Sequence, residues 1–134
     1  MIVVDTSAAL GFLRGENKSV KAVRSALEAT DAVGISVISL FELLHPIHRR
    51  KLERQERMVK SFFHQMKLLP LDSACADESA RIMGGLLKTG QAVNALDVLI
   101  AGTAVANGAE KLISADRAYE KIASVSDLKT EIVA

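Results

Sequence analysis

Short runs of β-branched residues and leucine recur along the chain at residues 2–4, 33–37, 67–71 and 111–114, each too short for a buried helix. They predict strands, and residues 129–133 offer a last one. Between them the apolar positions repeat at helical spacing, which predicts helices over residues 7–13, 18–29, 39–48, 53–65, 73–89, 95–107 and 117–123. Alternation of strand and helix implies parallel strands joined by right-handed crossovers, with helices covering both faces of the sheet. The expected fold class is therefore α/β, a three-layer α/β/α sandwich around a mainly parallel sheet, formed by residues 1–134 as a single domain. Glycines at 15, 34, 90 and 108 punctuate the pattern, whereas Gly84, Gly85 and Gly102 read as points of close helix packing. Pro46 is expected to end or kink the third helix near Leu44, because its ring removes an amide donor and crowds the preceding turn.

Composition narrows the picture. Hydrophobic residues at 49% and charged residues at 25% are the mix of a packed globular protein, which excludes a disordered tail. The single cysteine, Cys75, cannot form an intrachain disulfide, which fits a reducing cytoplasm. The first apolar run stops at Asp5 with no basic stretch before it, so it reads as a strand rather than a signal peptide. The longest apolar stretch, residues 95–106, carries Asp97 and falls short of the ~20 residues a membrane span needs, so no membrane association is expected. With a formal net charge of +1, any affinity for nucleic acid must come from a local patch. One candidate is the basic run from Arg49 to Lys60, although Glu53 with Arg57 and Glu56 with Lys60 also fit an ordinary solvated helix face.

In an open parallel sheet, ligands bind beyond the carboxyl ends of the strands, and here the residues at those ends are acidic. Asp5 ends the first strand, Glu42 lies one turn into the helix after the second, and Asp116 follows the fourth by two residues. Asp97 opens the helix 95–107, whose other positions are almost all apolar. Each acid taken alone has a local explanation. Ser39-Leu-Phe-Glu42 matches a capping box, Asn94-Ala-Leu-Asp97 is a looser relative, and Asp5 and Asp116 can each cap a helix. Capping does not explain why four acids converge on one sheet edge. Like charges packed together raise one another's pKa, and a divalent cation relieves that repulsion. An oxygen-only site suits Mg²⁺ or Mn²⁺ and not zinc.

Other chemistries have less support. Glu42-Leu-Leu-His45 has the E-x-x-H spacing of di-iron bundles, but there is no second copy, His48 lies beyond Pro46 and His64 is remote. There is no G-x-S-x-G elbow and no Walker-type loop, and Cys75 has no evident histidine partner.

With the four acids placed, the sequence resembles the PIN-domain family, and within it the VapC-type toxins of toxin-antitoxin pairs. Ile2-Val-Val-Asp5-Thr-Ser7 looks like the family's first motif and Ile38-Ser-Leu-Phe-Glu42-Leu43 like its second. Leu96-Asp97-Val-Leu-Ile-Ala-Gly-Thr-Ala104 resembles the third, and Leu112-Ile-Ser114-Ala-Asp116-Arg-Ala-Tyr119 the fourth. Ser114 stands where threonine is usual, Tyr119 where phenylalanine is usual, and Gly102 where alanine is common. The resemblance implies a metal-dependent endoribonuclease with Asp5, Glu42, Asp97 and Asp116 as catalytic metal ligands, Asp5 and Asp97 most directly. Thr6 and Ser114 would position those carboxylates or a water. It further implies Mg²⁺ or Mn²⁺ as cofactor, RNA as substrate, a VapB-type antitoxin as partner, and a homodimer.

Aromatic residues make up only 4% of the chain, so RNA recognition is expected to rest on shape and phosphate contacts. Arg50, Arg54 and Arg57, at i, i+4 and i+7, are the candidate contacts. A groove with Phe12, Phe41, Phe62 and Phe63 is a candidate seat for an antitoxin helix, although most of these rings are equally readable as core. Two alternative functions remain at this level. One is a receiver-like phospho-signalling domain using Asp72, with Ser114 and Lys129 behind it; the other is a catalytically silent PIN-like binding module.

Overall fold

The computed structural model describes residues 1–29 and 32–134. Its elements follow the order β1 (Ile2–Val4), α1 (Thr6–Leu13), α2 (Asn17–Ala29), β2 (Val33–Ser36), α3 (Val37–Arg50), α4 (Glu53–His64), β3 (Lys67–Leu69), α5 (Ser73–Lys88), α6 (Ala95–Ala106), β4 (Lys111–Ser114), α7 (Ala118–Ser124) and β5 (Thr130–Ile132). The strands form one five-stranded sheet in the order β3-β2-β1-β4-β5, and every pairing is parallel. The chain thus begins in the middle, builds outward through β2 and β3, then returns to lay β4 and β5 on the other side. Strand order reverses at β1, and the crevice at its carboxyl end is where such sheets bind ligands.

Strand periodicity divides the core in two. Ile2 and Val4 face a layer built by α1 to α4, with Val23, Ile35, Val59, Phe62 and Ile113. Val3 and Leu112 face the opposite layer, with Ile82, Leu86, Val98 and Ile100 from α5 and α6 and with Tyr119 and Ile122 from α7. Alternate residues of one strand therefore serve two cores, as expected of a sheet covered on both faces.

Three local features differ from the sequence reading. Pro46 lies inside α3, which continues to Arg50. The residue is exposed, so water can satisfy the carbonyl whose donor it removes, and the helix passes through. Second, α3 begins at Val37, where Ser36 Oγ accepts from the Ile38 amide at 3.0 Å. Ser36 is therefore the cap, Ser39 lies in the first turn, and the S-x-x-E stretch is not a capping box. Third, Lys51 adopts the left-handed conformation at φ 54° and closes α3. Arg50 consequently sits on a different helix from Arg54 and Arg57.

Helices α5 and α6 approach closely at Gly102, the tightest of the glycines. A Cβ at Gly102 would stand 1.9 Å from Ser79 Oγ and 2.6 Å from the Ser79 amide nitrogen. Gly85 is also tight, 3.1 Å from Val125 Cβ, but Gly84 meets nothing within 4 Å and is not a packing glycine. The two positions predict opposite outcomes in urea denaturation. Gly102→Ala must push backbone from backbone and should destabilise by about 2–4 kcal/mol. Gly84→Ala should gain about 0.5–1 kcal/mol from helix propensity alone.

Candidate active site

Parallel topology delivers the four acids to one edge. Helices α1 and α3 leave directly from the carboxyl ends of β1 and β2, so their N-terminal turns lie there. Helix α6 precedes β4 and runs against it, which brings its first turn, with Asp97, to the same edge. The loop after β4 supplies Asp116.

Asp5 is the most enclosed of the four, with only 2% of its surface exposed. Its Oδ1 accepts from the Ala8 amide at 2.8 Å, so it does cap α1. It also accepts from two hydroxyls, Ser7 Oγ at 2.9 and 2.8 Å and Ser114 Oγ at 2.7 Å. Those serines in turn accept from the amides of Ala115 and Asp116, both at 2.9 Å. One carboxylate thereby ties the end of β1 to the loop after β4. Burial nevertheless dominates and raises the Asp5 pKa from 3.8 to about 6, with the bonds from Ala8, Ser114 and Ser7 opposing it.

Glu42 is half-buried in the second turn of α3, where its Oε1 accepts from Thr6 Oγ1 at 2.6 Å. Thr6 Oγ1 also lies 2.9 Å from Ser39 Oγ. Asp116 is exposed and its Oδ1 accepts from the Ala118 amide at 2.8 Å, so it too has a capping bond. Asp97 has no such role, because Asn94 caps α6 through the Leu96 amide at 2.8 Å. Its Oδ1 instead faces the hydroxyl of Tyr119 at 3.4 Å. Desolvation raises its pKa to about 6, reinforced by the charges of Asp116, Glu42 and Asp5 in that order. That mutual repulsion is the electrostatic signature of convergence.

Among the described residues no group of three acids, histidines or cysteines is drawn close enough together, as it stands, to hold a metal ion. The donor set is nevertheless all oxygen, clustered and under mutual repulsion. Mg²⁺ commonly takes only one or two carboxylates and keeps its remaining positions for water, so an open carboxylate cluster suits it better than a closed cage. Asp5 and Asp97 are the acids best placed by burial to gain from a cation.

Of the two hydroxyls singled out from the sequence, Thr6 donates to Glu42 and Ser114 to Asp5. Ser7 was missed, although its place two residues after a strand-ending aspartate was a usable signal. Tyr119 was noted only for its ring. The arginine triad is not a single face, since Arg54 and Arg57 border the groove beside Phe12 and Phe62, apart from Arg50. Arg50 instead shares a cleft of about 430 Å³ with Arg14, Glu42 and His45. The four phenylalanines do not form a groove either: Phe62 and Phe63 are core, Phe12 packs on Phe62 at 5.1 Å, and Phe41 is 56% exposed. His48 stands 3.3 Å from Glu56 of α4, whereas His45 lines the cleft with Glu42, so the two histidines that follow Glu42 are drawn to different partners. Asp72 follows the edge strand β3 and caps α5 through the Cys75 amide at 3.0 Å. This removes it from the crevice that a receiver-like reading requires.

Comparison with known proteins agrees with this geometry. The profile of the PIN domain matches residues 2–125. The tRNA(fMet)-specific endonuclease VapC of Shigella flexneri is 29% identical over 98 residues, 72% of each chain. DNA-bound VapBC from Salmonella typhimurium superposes with a TM-score of 0.84 at 21% identity, covering 99% of this chain and 98% of that one. Mycobacterium tuberculosis VapC20, described as a sarcin-ricin loop cleaving toxin, gives 0.67 at 15% identity over 96% and 98%.

The raised carboxyls set a pH dependence. An acid whose folded pKa exceeds its unfolded value holds a proton that unfolding releases, so stability falls as pH rises through that interval. For Asp5 and Asp97 the interval runs from 3.8 to about 6. Metal-free protein should therefore melt at a higher temperature at pH 5 than at pH 7.5 in a calorimetric scan. Asp97→Asn should narrow that gap and raise the pH 7.5 midpoint by roughly 2–6 °C.

Proposed function

This chain belongs to the PIN-domain family, and from that membership and its four converging acids we propose that it is a metal-dependent endoribonuclease. The observation that carries the proposal is the gathering of Asp5, Glu42, Asp97 and Asp116 at one sheet edge, with Asp97 on an apolar helix where desolvation first, and then the charges of Asp116, Glu42 and Asp5, raise its pKa. Desolvated acids crowded in this way are a poor structural device and a good cation site.

When bound there, Mg²⁺ or Mn²⁺ would offset charge on the scissile phosphate and activate water for in-line displacement. The chain supplies the rest. Asp5, Asp97, Glu42 and Asp116 provide the ligating oxygens, directly or through water. Ser7 and Ser114 fix both Asp5 oxygens, and Thr6 fixes Glu42. No hydrogen bond among the described residues joins a histidine to Asp5, Glu42, Asp97 or Asp116, whereas a bound cation would supply an activated water. Water is then the nucleophile. A new bond forms from water oxygen to phosphorus, the bond to O3′ breaks, and O3′ leaves as a hydroxyl.

As a toxin of the VapC type, the chain would also bind a VapB-type antitoxin and form a homodimer in the cytoplasm. The cleft between α1, α3 and α4 suits an apolar partner segment. Leu10, Leu13, Leu43 and Val59 line it, while Glu42, Arg14 and Arg50 supply charge at its borders. Relatives solved as complexes with antitoxin support this assignment. No helix among the described residues is long and apolar enough to cross a membrane.

Purified protein should cleave cellular RNA with Mg²⁺ or Mn²⁺ and not with EDTA. Asp5→Asn and Asp97→Asn should each lower the rate by at least about 100-fold while the fold persists by circular dichroism. The fragments should carry 5′-phosphate and 3′-hydroxyl ends, and 2′,3′-cyclic phosphate ends would refute the mechanism.

A further inference from the structure

Each acid of the cluster has a recognisable brace. Asp5 is held by Ser7, Ser114 and the Ala8 amide, Glu42 by Thr6, and Asp116 by the Ala118 amide. For Asp97 the only bond among the described residues is from the Tyr119 hydroxyl to Oδ1, at 3.4 Å. Tyr119 comes from α7, while Asp97 comes from α6. Its ring is wholly buried in the layer formed with Val98, Leu112, Ile122 and Leu128. A ring so packed has little freedom to move its hydroxyl elsewhere.

The hydroxyl itself needs an explanation. Phenylalanine would fill the same apolar space, and a buried phenol without an acceptor is costly. A phenol is protonated at neutral pH and can donate. The acceptor within reach is the one acid of the cluster that no backbone amide, serine or threonine among the described residues holds.

We propose that Tyr119 is a positioning residue for the metal site, its hydroxyl holding Asp97 by Oδ1 so that Oδ2 is left to ligate a divalent cation. This rests on the reading that the four acids hold such a cation. The hydroxyl donates to the carboxylate and does not touch substrate. Its contribution is to limit the rotation of an acid that is otherwise free to turn away from its neighbours.

The test uses intact protein and two readouts that do not depend on cleavage. In Tyr119→Phe, Mn²⁺ titration followed by electron paramagnetic resonance should give a dissociation constant about 3–10-fold higher than wild type. The metal-free melting midpoint should move by no more than about 3 °C, because ring packing is retained. Cleavage lost at low Mn²⁺ should return as the metal is raised. The chain has one tyrosine and no tryptophan, so its intrinsic emission reports this ring alone. Mg²⁺ added to wild-type protein should change that emission with the same midpoint as binding measured by calorimetry. An unchanged Mn²⁺ constant in the variant, or tyrosine emission blind to bound Mg²⁺, overturns the role of Tyr119 and leaves the nuclease intact. Wild-type protein that takes up neither metal overturns both readings.

Discussion

The fold is organised around a carboxylate that would rather be in water. Asp5 is buried at the end of the central strand, and its position costs desolvation that no cationic side chain among the described residues relieves. Two serine hydroxyls and an amide meet its oxygens instead, and through them β1, α1 and the loop after β4 are locked together. Hydrogen bonds to a charged group are roughly twice as strong as neutral ones, which lets this small network hold an unfavourable charge in place. The opposing effects do not cancel, because Asp5 still titrates near pH 6. That residual strain is what makes the position receptive to a counterion.

The other acids are held by different means, and the differences are physical. Glu42 has a long side chain on a helix and needs only one hydroxyl to aim it. Asp116 lies in solvent, where charge is cheap, and its carboxylate doubles as a cap. Asp97 is intermediate. It sits at the start of α6, where the helix dipole favours an anion, yet its neighbours are apolar and its charged companions repel it. The cluster is therefore graded from a fully enclosed acid to a fully exposed one. Such a gradient gives the cluster a solvent side at Asp116 and a dry side at Asp5.

Support for this edge comes from packing remote from it. Gly102 allows α6 to lie against Ser79 of α5, which fixes the helix that carries Asp97. Ser36 turns β2 directly into α3 without a loop and so decides how far along that helix Glu42 falls. Left-handed Lys51 then turns the chain into α4, and α1, α3 and α4 enclose the apolar cleft beside Glu42. The acidic edge and the partner-sized cleft share Glu42, so occupancy of one bears on the other.

Much of this was legible in the chain itself. Short β-branched and leucine runs, with helical spacing between them, located the strands and helices of the described residues to within a few positions, because these patterns are set by local backbone geometry. The rule that parallel strands present their carboxyl ends to ligands pointed to Asp5, Glu42 and Asp116, an acid on an apolar helix pointed to Asp97, and the structure brings the charges of the other three to bear on Asp97. What the sequence alone could not settle was everything that depends on which strands are neighbours. Ser114 reaches Asp5 across 109 residues of chain, and Tyr119 reaches Asp97 across a helix-strand unit, so neither bond is written in local spacing. The same is true of the arginines. Their i, i+4, i+7 pattern was real, but one left-handed residue at Lys51 placed them on two helices. Periodicity determines what each segment becomes, whereas tertiary packing decides which side chains meet, because contact energies between distant residues exist only after the sheet order has been chosen.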